Sequence, residues 1–182
     1  MRILKEECTG LVIDIQERLL PVMEDKDALL KSCGILLRGL KLLEVPVLIT
    51  EQYPRGLGPT VPEIRESLEK FRPMEKNTFS CCEEPAFLLS LETSVRRTVI
   101  ILGIEAHVCV LQTVADLSAS GYLPVVVADC ISSRHAYDKK VALERMYREG
   151  AVVTTCESIL FELTRRAGNE TFKAISALVK QF

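Results

Sequence analysis

Five short stretches of this chain are predominantly apolar: "GLVIDI" (10–15), "VPVLIT" (45–50), "TVIILG" (98–103), "LPVVVAD" (123–129) and "AVVTT" (151–155). Runs rich in Val and Ile that do not alternate with polar residues fit strands covered on both faces, as in parallel sheets. A weaker sixth strand is predicted near "FRPMEK" (71–76). Helical patterns fill the intervals. In 25–44, Leu29, Cys33, Leu36, Leu37, Leu40 and Leu43 recur at helical spacing. Residues 138–149 stack Ala142 on Met146 and Leu143 on Tyr147, with Asp138 as the expected cap and Gly150 as the stop. "TTCE" (154–157) fits a capping box for a helix carrying Leu160 and Leu163 and ending near Gly168. A last helix, capped by Asn169, carries Phe172, Ile175 and Val179.

Strand alternating with helix over one undivided stretch predicts an α/β fold with a doubly wound parallel sheet of about six strands. With 182 residues, 48% of them hydrophobic, the chain can bury one core, and residues 1–182 are expected to form a single domain. The one long irregular stretch is "EQYPRGLGPTVP" (51–62), expected to be a binding loop or lid. "GLGPTV" is no dinucleotide fingerprint, because Val61 stands where the third glycine belongs.

Charge narrows the partners. The net charge is −2, and acidic and basic residues are interspersed, so no basic stripe invites nucleic acid or an anionic membrane. No apolar run approaches the ~18 residues of a membrane span. The start, "MRILKEECTG", is acidic where a signal peptide would be apolar. The seven cysteines are odd in number and lack a C-x-x-C, which argues against a disulfide framework and for reduced thiols in the cytoplasm.

In a doubly wound sheet, ligands bind beyond the carboxyl ends of the strands. Three residues with chemical capacity are predicted there: Asp14 after "LVI", Lys76 after "FRPME", and Cys109 after "TVIILG", in the first turn of a helix. Alone, Asp14 reads equally as a helix cap, Lys76 as a solvated lysine, and Cys109 as a small packed residue. Together they form a nucleophile, a base and a cation. A helix N-terminus and a nearby ammonium lower a thiol pKa from ~8.5 into the range ~3.5–7.5. A carboxylate accepts the thiol proton and returns it to a leaving group, and the amides of the helix start hold an oxyanion. No G-x-S-x-G, H-E-x-x-H or Cys/His metal spacing competes. His107 is expected to pack or bond near the helix start, and His135 to sit in a loop.

Six stretches in order then resemble the isochorismatase-like cysteine hydrolases: "LVIDIQERLLP" (11–21), "TEQYPRGLGPT" (50–60), "EKNTFSC" (75–81), "GIEAHVCVLQTVADL" (103–117), "VVADCISSR" (126–134) and "ALERMYREGAVVTTCES" (142–158). The resemblance implies a Rossmann-like three-layer α/β/α sandwich and a catalytic triad of Asp14, Lys76 and Cys109. It also implies a non-proline cis peptide between Ile104 and Glu105, aiming the amides of Glu105 or Ala106, with that of Cys109, at an oxyanion. Nicotinamidases of this superfamily hold a metal with an Asp and two His after the second strand. "TEQYP" offers no such set here, so neither metal nor organic cofactor is expected. Isochorismatases that cleave a vinyl ether lack the nucleophilic cysteine, which this chain keeps. The expected reaction is therefore hydrolysis of a small amide or carbamoyl compound through a thioester. Gln52, Tyr53, Phe79 and Arg134 are the candidates for the rim of a small-molecule pocket, with Arg134 either holding a substrate carboxylate or pairing with a nearby acid. A homo-oligomer is expected, and the competing reading is a binding or assembly module whose triad is silent.

Overall fold

Every apolar run becomes a strand in the computed structural model, which describes residues 2–68 and 70–181. The strands are β1 (Cys8–Ile13), β2 (Val47–Gln52), β3 (Met74–Lys76), β4 (Thr98–Ile104), β5 (Leu123–Ser132) and β6 (Val152–Thr154). All pair in parallel, in the order β3-β2-β1-β4-β5-β6. Between them run α1 (Lys26–Leu42), α2 (Pro54–Leu57), α3 (Pro62–Glu66), α4 (Pro85–Thr93), α5 (Leu111–Ala119) and α6 (Ala136–Arg148), and after β6 come α7 (Cys156–Thr164) and α8 (Glu170–Val179).

The lack of alternation in the strand sequences has its reason in the layers. Leu11 and Ile13 of β1, with Val99, Ile101 and Val126, pack under Leu91 of α4, Val114 and Leu117 of α5 and Met146 of α6. Val12, Ile100 and Val125 face the other way, against Leu36 and Leu40 of α1, Leu160 of α7 and Ile175 of α8. Both faces of the sheet are dry, so both sets of side chains must be apolar. The result is a three-layer α/β/α sandwich.

The strand order places the site. The chain winds outward from β1 through β2 to β3, then crosses to β4 on the other side of β1. Connections leaving β1 and β4 diverge there, opening a crevice at their carboxyl ends. Gly103 lets the two strands come together at that point. Its φ is +136°, and a Cβ there would lie 2.2 Å from the Ile13 carbonyl oxygen. Only glycine fits so close an approach.

Several local expectations need correction. The stretch 51–62 is not an irregular lid: β2 runs to Gln52, and Pro54 and Pro62 open α2 and α3. Prolines that read as breakers stand in first helical turns, where the missing N–H costs nothing. The rest is pinned, with the Glu17 and Val61 amides donating to the carbonyls of Pro59 and Ile15. Glu51 adds its carboxylate to the amide and hydroxyl of Thr60, each at 2.7 Å. The α6 cap position is His135 rather than Asp138, which lies inside the first turn. Thr155, not Thr154, caps α7 by accepting from the Ser158 amide. That helix stops at Thr164 because Arg165 turns to positive φ, four residues before the expected Gly168 breaker. Asn169 caps α8 as expected, its Oδ1 taking the Phe172 amide at 2.7 Å. Helix α4, in a segment to which no element was assigned from sequence, also starts on a proline.

Candidate active site

Strand register gathers the three residues. Ile13 sits opposite Thr50 of β2 on one side and Gly103 of β4 on the other, and Gln52 sits opposite Lys76. Asp14 is the residue just beyond β1. Its backbone is left-handed (φ 53), a conformation Asp tolerates better than most residues, and its amide donates to the Thr50 carbonyl at 3.3 Å. The side chain is wholly buried. Thr50 Oγ1 donates to Oδ1 at 2.8 Å, and Lys76 Nζ stands 2.7 Å from Oδ2.

The Lys76 ammonium is buried too, and other acceptors surround it. It donates to Gln52 Oε1 at 2.6 Å and to the carbonyls of Thr78 and Phe79 at 3.1 Å each. Three protons thus already have acceptors, and the contact with Asp14 is chiefly one of charge. Apart from that ion pair, no side-chain amide or hydroxyl among the described residues donates to Oδ2. That oxygen is the one free to take a proton, and Cys109 lies close enough to Asp14 that each shifts the titration of the other.

Cys109 does not occupy the first turn of an α-helix. It lies in a π-helical turn, Ala106–Val110, that precedes α5. Its surroundings reverse the expected shift: burial, then the Asp14 charge, push the thiol up to about 12, and the Lys76 ammonium only partly offsets them. That shift favours the protonated thiol at rest. Asp14 moves the same way, since burial raises its carboxyl more than Lys76 and the hydrogen bond from Thr50 lower it. Burial works to lower the Lys76 ammonium, but the Asp14 charge beside it leads the causes that outweigh burial and raise it. A weak acid thus faces a strengthened carboxylate base beside a held cation.

The strap from β3 to α4 fastens this arrangement. Ser80 Oγ donates to Asp116 of α5, and the Cys81 amide donates to Thr113 Oγ1 at 3.0 Å. Thr113 Oγ1 in turn donates to the Cys109 carbonyl at 2.7 Å. Behind the strap, Gln16 donates from Nε2 to the carbonyls of Gln52 and Gly58 and accepts the Gln52 amide on Oε1. Gln16, Thr50, Cys81 and Thr113 were not singled out from sequence. Threonine inside an apolar run reads as a strand residue, and only the register reveals what it touches.

The remaining sequence candidates separate. Gln52 reaches the site but spends its carbonyl oxygen on Lys76. Phe79 contributes its backbone carbonyl while its ring is half exposed. Tyr53 borders a cleft of about 290 Å³ with Arg55, Lys76, Asn77 and Glu84; neither Asp14 nor Cys109 lines it. Arg134 pairs with Glu105, Nε to Oε2 and Nη2 to Oε1, both at 3.2 Å. The peptide bond between Ile104 and Glu105 is cis. The Glu105 carbonyl takes the amides of Val108 and Val110; those of Ala106 and Cys109 are not among its donors. His107 Nδ1 lies 3.0 Å from Ser133 Oγ, and His135 is exposed. Among the described residues, no group of three or more His, Cys, Asp or Glu is arranged to hold a metal ion.

A family model, the isochorismatase domain, matches residues 9–158. The chain belongs to the isochorismatase family. Isochorismatase domain-containing protein 2A of Mus musculus is 39% identical over 181 residues, 99% of this chain and 86% of the relative. A secreted isochorismatase effector of Phytophthora sojae is 38% identical over 184 residues, covering 99% and 88% of the two chains. Among solved structures, the MAR1 ribonuclease of Caenorhabditis elegans superposes with a TM-score of 0.93 at 35% identity, covering 99% of this chain and 93% of its own. The YcaC gene product of Escherichia coli, described as an octameric hydrolase of unknown specificity, has a TM-score of 0.89 at 22% identity over 100% and 88% of the chains; that likeness concerns the fold. Isochorismatase-family membership carries a hydrolase-type fold.

Proposed function

We propose that this family member is a cysteine-dependent hydrolase of a small amide or carbamoyl compound, with Asp14, Lys76 and Cys109 as its reacting groups. One observation supports the reading above others: a buried carboxylate, its Oδ2 held 2.7 Å from a buried ammonium, stands beside a buried thiol that the carboxylate charge pushes up. Because the thiol rests protonated, its proton moves to Asp14 as sulfur attacks the substrate carbonyl carbon, and no separate thiolate precedes the attack. The C–S bond forms, and the carbonyl oxygen takes the charge, received by the amide of Glu105 or Ala106 with that of Cys109. Asp14 then gives its proton to the departing nitrogen as the C–N bond breaks, leaving a thioester. Water attacks the thioester with Asp14 as base, releasing the acid and restoring the thiol. Lys76 holds Asp14 in place and balances its charge throughout. The chemistry calls on no metal or organic cofactor.

The test is intact mass spectrometry after mixing with a panel of small primary amides and carbamoyl compounds. A Cys109 acyl adduct, absent in Cys109→Ala, is the expected result. Turnover that survives in Cys109→Ala would sink the proposal. Binding without adduct or turnover across the panel would favour a module with a silent triad. Assembly into a homo-oligomer and residence in the cytoplasm belong to the same proposal. Light scattering and cell fractionation test them.

A further inference from the structure

Thr50 stands one residue outside the proposed triad and touches it twice. Its carbonyl accepts the Asp14 amide at 3.3 Å, and its hydroxyl donates to Asp14 Oδ1 at 2.8 Å. A single residue thus fixes both the backbone and the carboxylate plane of Asp14. The hydroxyl also lies 3.8 Å from Cys81 Sγ. Since its one proton goes to Asp14, the Cys81 thiol is the donor in that contact and Thr50 Oγ1 the acceptor. The chain runs Cys81 S–H to Thr50 O–H to Asp14 Oδ1. Its members are buried, where such bonds are strong and an unmade one is costly.

We propose that Thr50 is a positioning residue for Asp14: its hydroxyl occupies Oδ1 so that Oδ2 remains the basic oxygen facing Lys76 and Cys109. The inference rests on the reading of Asp14 as the proton acceptor. Two geometric facts carry it. Oδ1 has a hydroxyl donor, whereas Oδ2 has the ion pair with Lys76 and no hydrogen-bond donor among the described residues. The β1–β2 register, Ile13 opposite Thr50, builds that contact into the sheet itself, not into a loop that could move independently. Thr50 touches no reacting atom of a substrate, and it acts only through Asp14.

A hydroxyl donating to a carboxylate favours the charged form. Removing it raises the Asp14 carboxyl beyond the level set by burial. The ionisable groups facing Asp14 are Lys76 from β3, Cys109 from the π turn and Cys81 from the strap, and none changes in the variants below. The experiment follows the ¹³Cγ resonance of Asp14 against pH in wild type, Thr50→Val and Thr50→Ser, with the pH dependence of Cys109 alkylation measured in parallel. Thr50→Val keeps the shape and loses the donor; both curves are expected to move to higher pH by about one unit. Thr50→Ser keeps the hydroxyl and is expected to titrate like wild type. Where Thr50→Val does not fold, Thr50→Ala, which adds no bulk, takes its place in the same comparison. Superimposable titrations of wild type and the hydroxyl-free variant overturn the proposal. So does a Thr50→Ser curve displaced as far as Thr50→Val, because that places the effect in packing and not in the hydrogen bond. The resonance needs no turnover. Failure of the hydrolase reading shows instead as a missing Cys109 adduct with the Thr50 shift intact.

Discussion

At the scale of single residues, Cys109 and Cys81 are the thiols whose titration Asp14 shifts, and of the two only Cys109 keeps any exposure, 5% against 0%. Cys8 and Cys82 are also pushed up to about 12, chiefly by burial, and Cys81 to about 11. A thiol lowered by a helix start and an ammonium, expected from sequence, does not fit a thiol pushed up to about 12. Iodoacetamide at neutral pH is expected to modify Cys109 more slowly than free cysteine. That reaction is expected to depend on Asp14, so Asp14→Asn protects Cys109 while leaving Cys82 unchanged; equal rates at Cys109 in both proteins would remove the base from the argument. Lys76→Met tests the cation. It leaves a buried carboxylate without its counter-charge, so the Asp14 carboxyl rises further, by desolvation no longer opposed by the ammonium. More of Asp14 is then protonated at a given pH, and the acid limb of Cys109 alkylation moves upward. Breaking a buried pair by deleting one partner costs about 3–5 kcal/mol, part of which Asp14 recovers by taking up a proton. A denaturant midpoint and an alkylation curve matching wild type would make Lys76 a bystander.

At the scale of elements, the site depends on how closely β1 and β4 approach. Gly103→Ala puts a methyl against the Ile13 backbone, whose carbonyl oxygen would be 2.2 Å away, in a conformation L-residues rarely adopt. Strain and overpacking together are expected to cost about 2–4 kcal/mol. At about 2–4 °C per kcal/mol for a chain of this size, calorimetry is expected to show a fall of several degrees or more. An unchanged Tm would mean that the strand crossing is not what seats Asp14 beside the π turn. The same elements mark how far sequence reading reaches. Strands were legible because both-face burial writes an unmistakable apolar run, and Asp14, Lys76 and Cys109 followed as residues at strand ends. Cap positions slipped, as at His135 and Thr155, because where a chain leaves a strand decides which polar residue meets the free amides. The π turn left no periodic trace distinct from an α-helix. Thr50 and Gln16 were illegible for another reason: their partners lie 36 residues away, in a register no local pattern records.

At the scale of the whole molecule, the family likeness includes a structure described as a ribonuclease, and charge and burial bear on whether that activity extends here. RNA binding draws on phosphate contacts from clustered Lys and Arg, and affinity falls with salt in proportion to their number. This chain carries 23 basic against 25 acidic residues. Two cations near the site are committed, Lys76 to Asp14 and Arg134 to Glu105. The three residues proposed to react are at most 5% exposed, which suits a small molecule better than a polynucleotide laid across them. The expectation is that single-stranded RNA binds weakly, with little dependence on salt between about 50 and 200 mM, and is not cut in a manner requiring Cys109. Fluorescence anisotropy across that range, with a cleavage assay on wild type and Cys109→Ala, measures both. A steep salt slope together with cleavage lost in Cys109→Ala would transfer the same three residues from amide chemistry to phosphodiester chemistry. Cleavage retained in Cys109→Ala would instead place any nuclease activity outside this crevice and leave the thiol's role untouched.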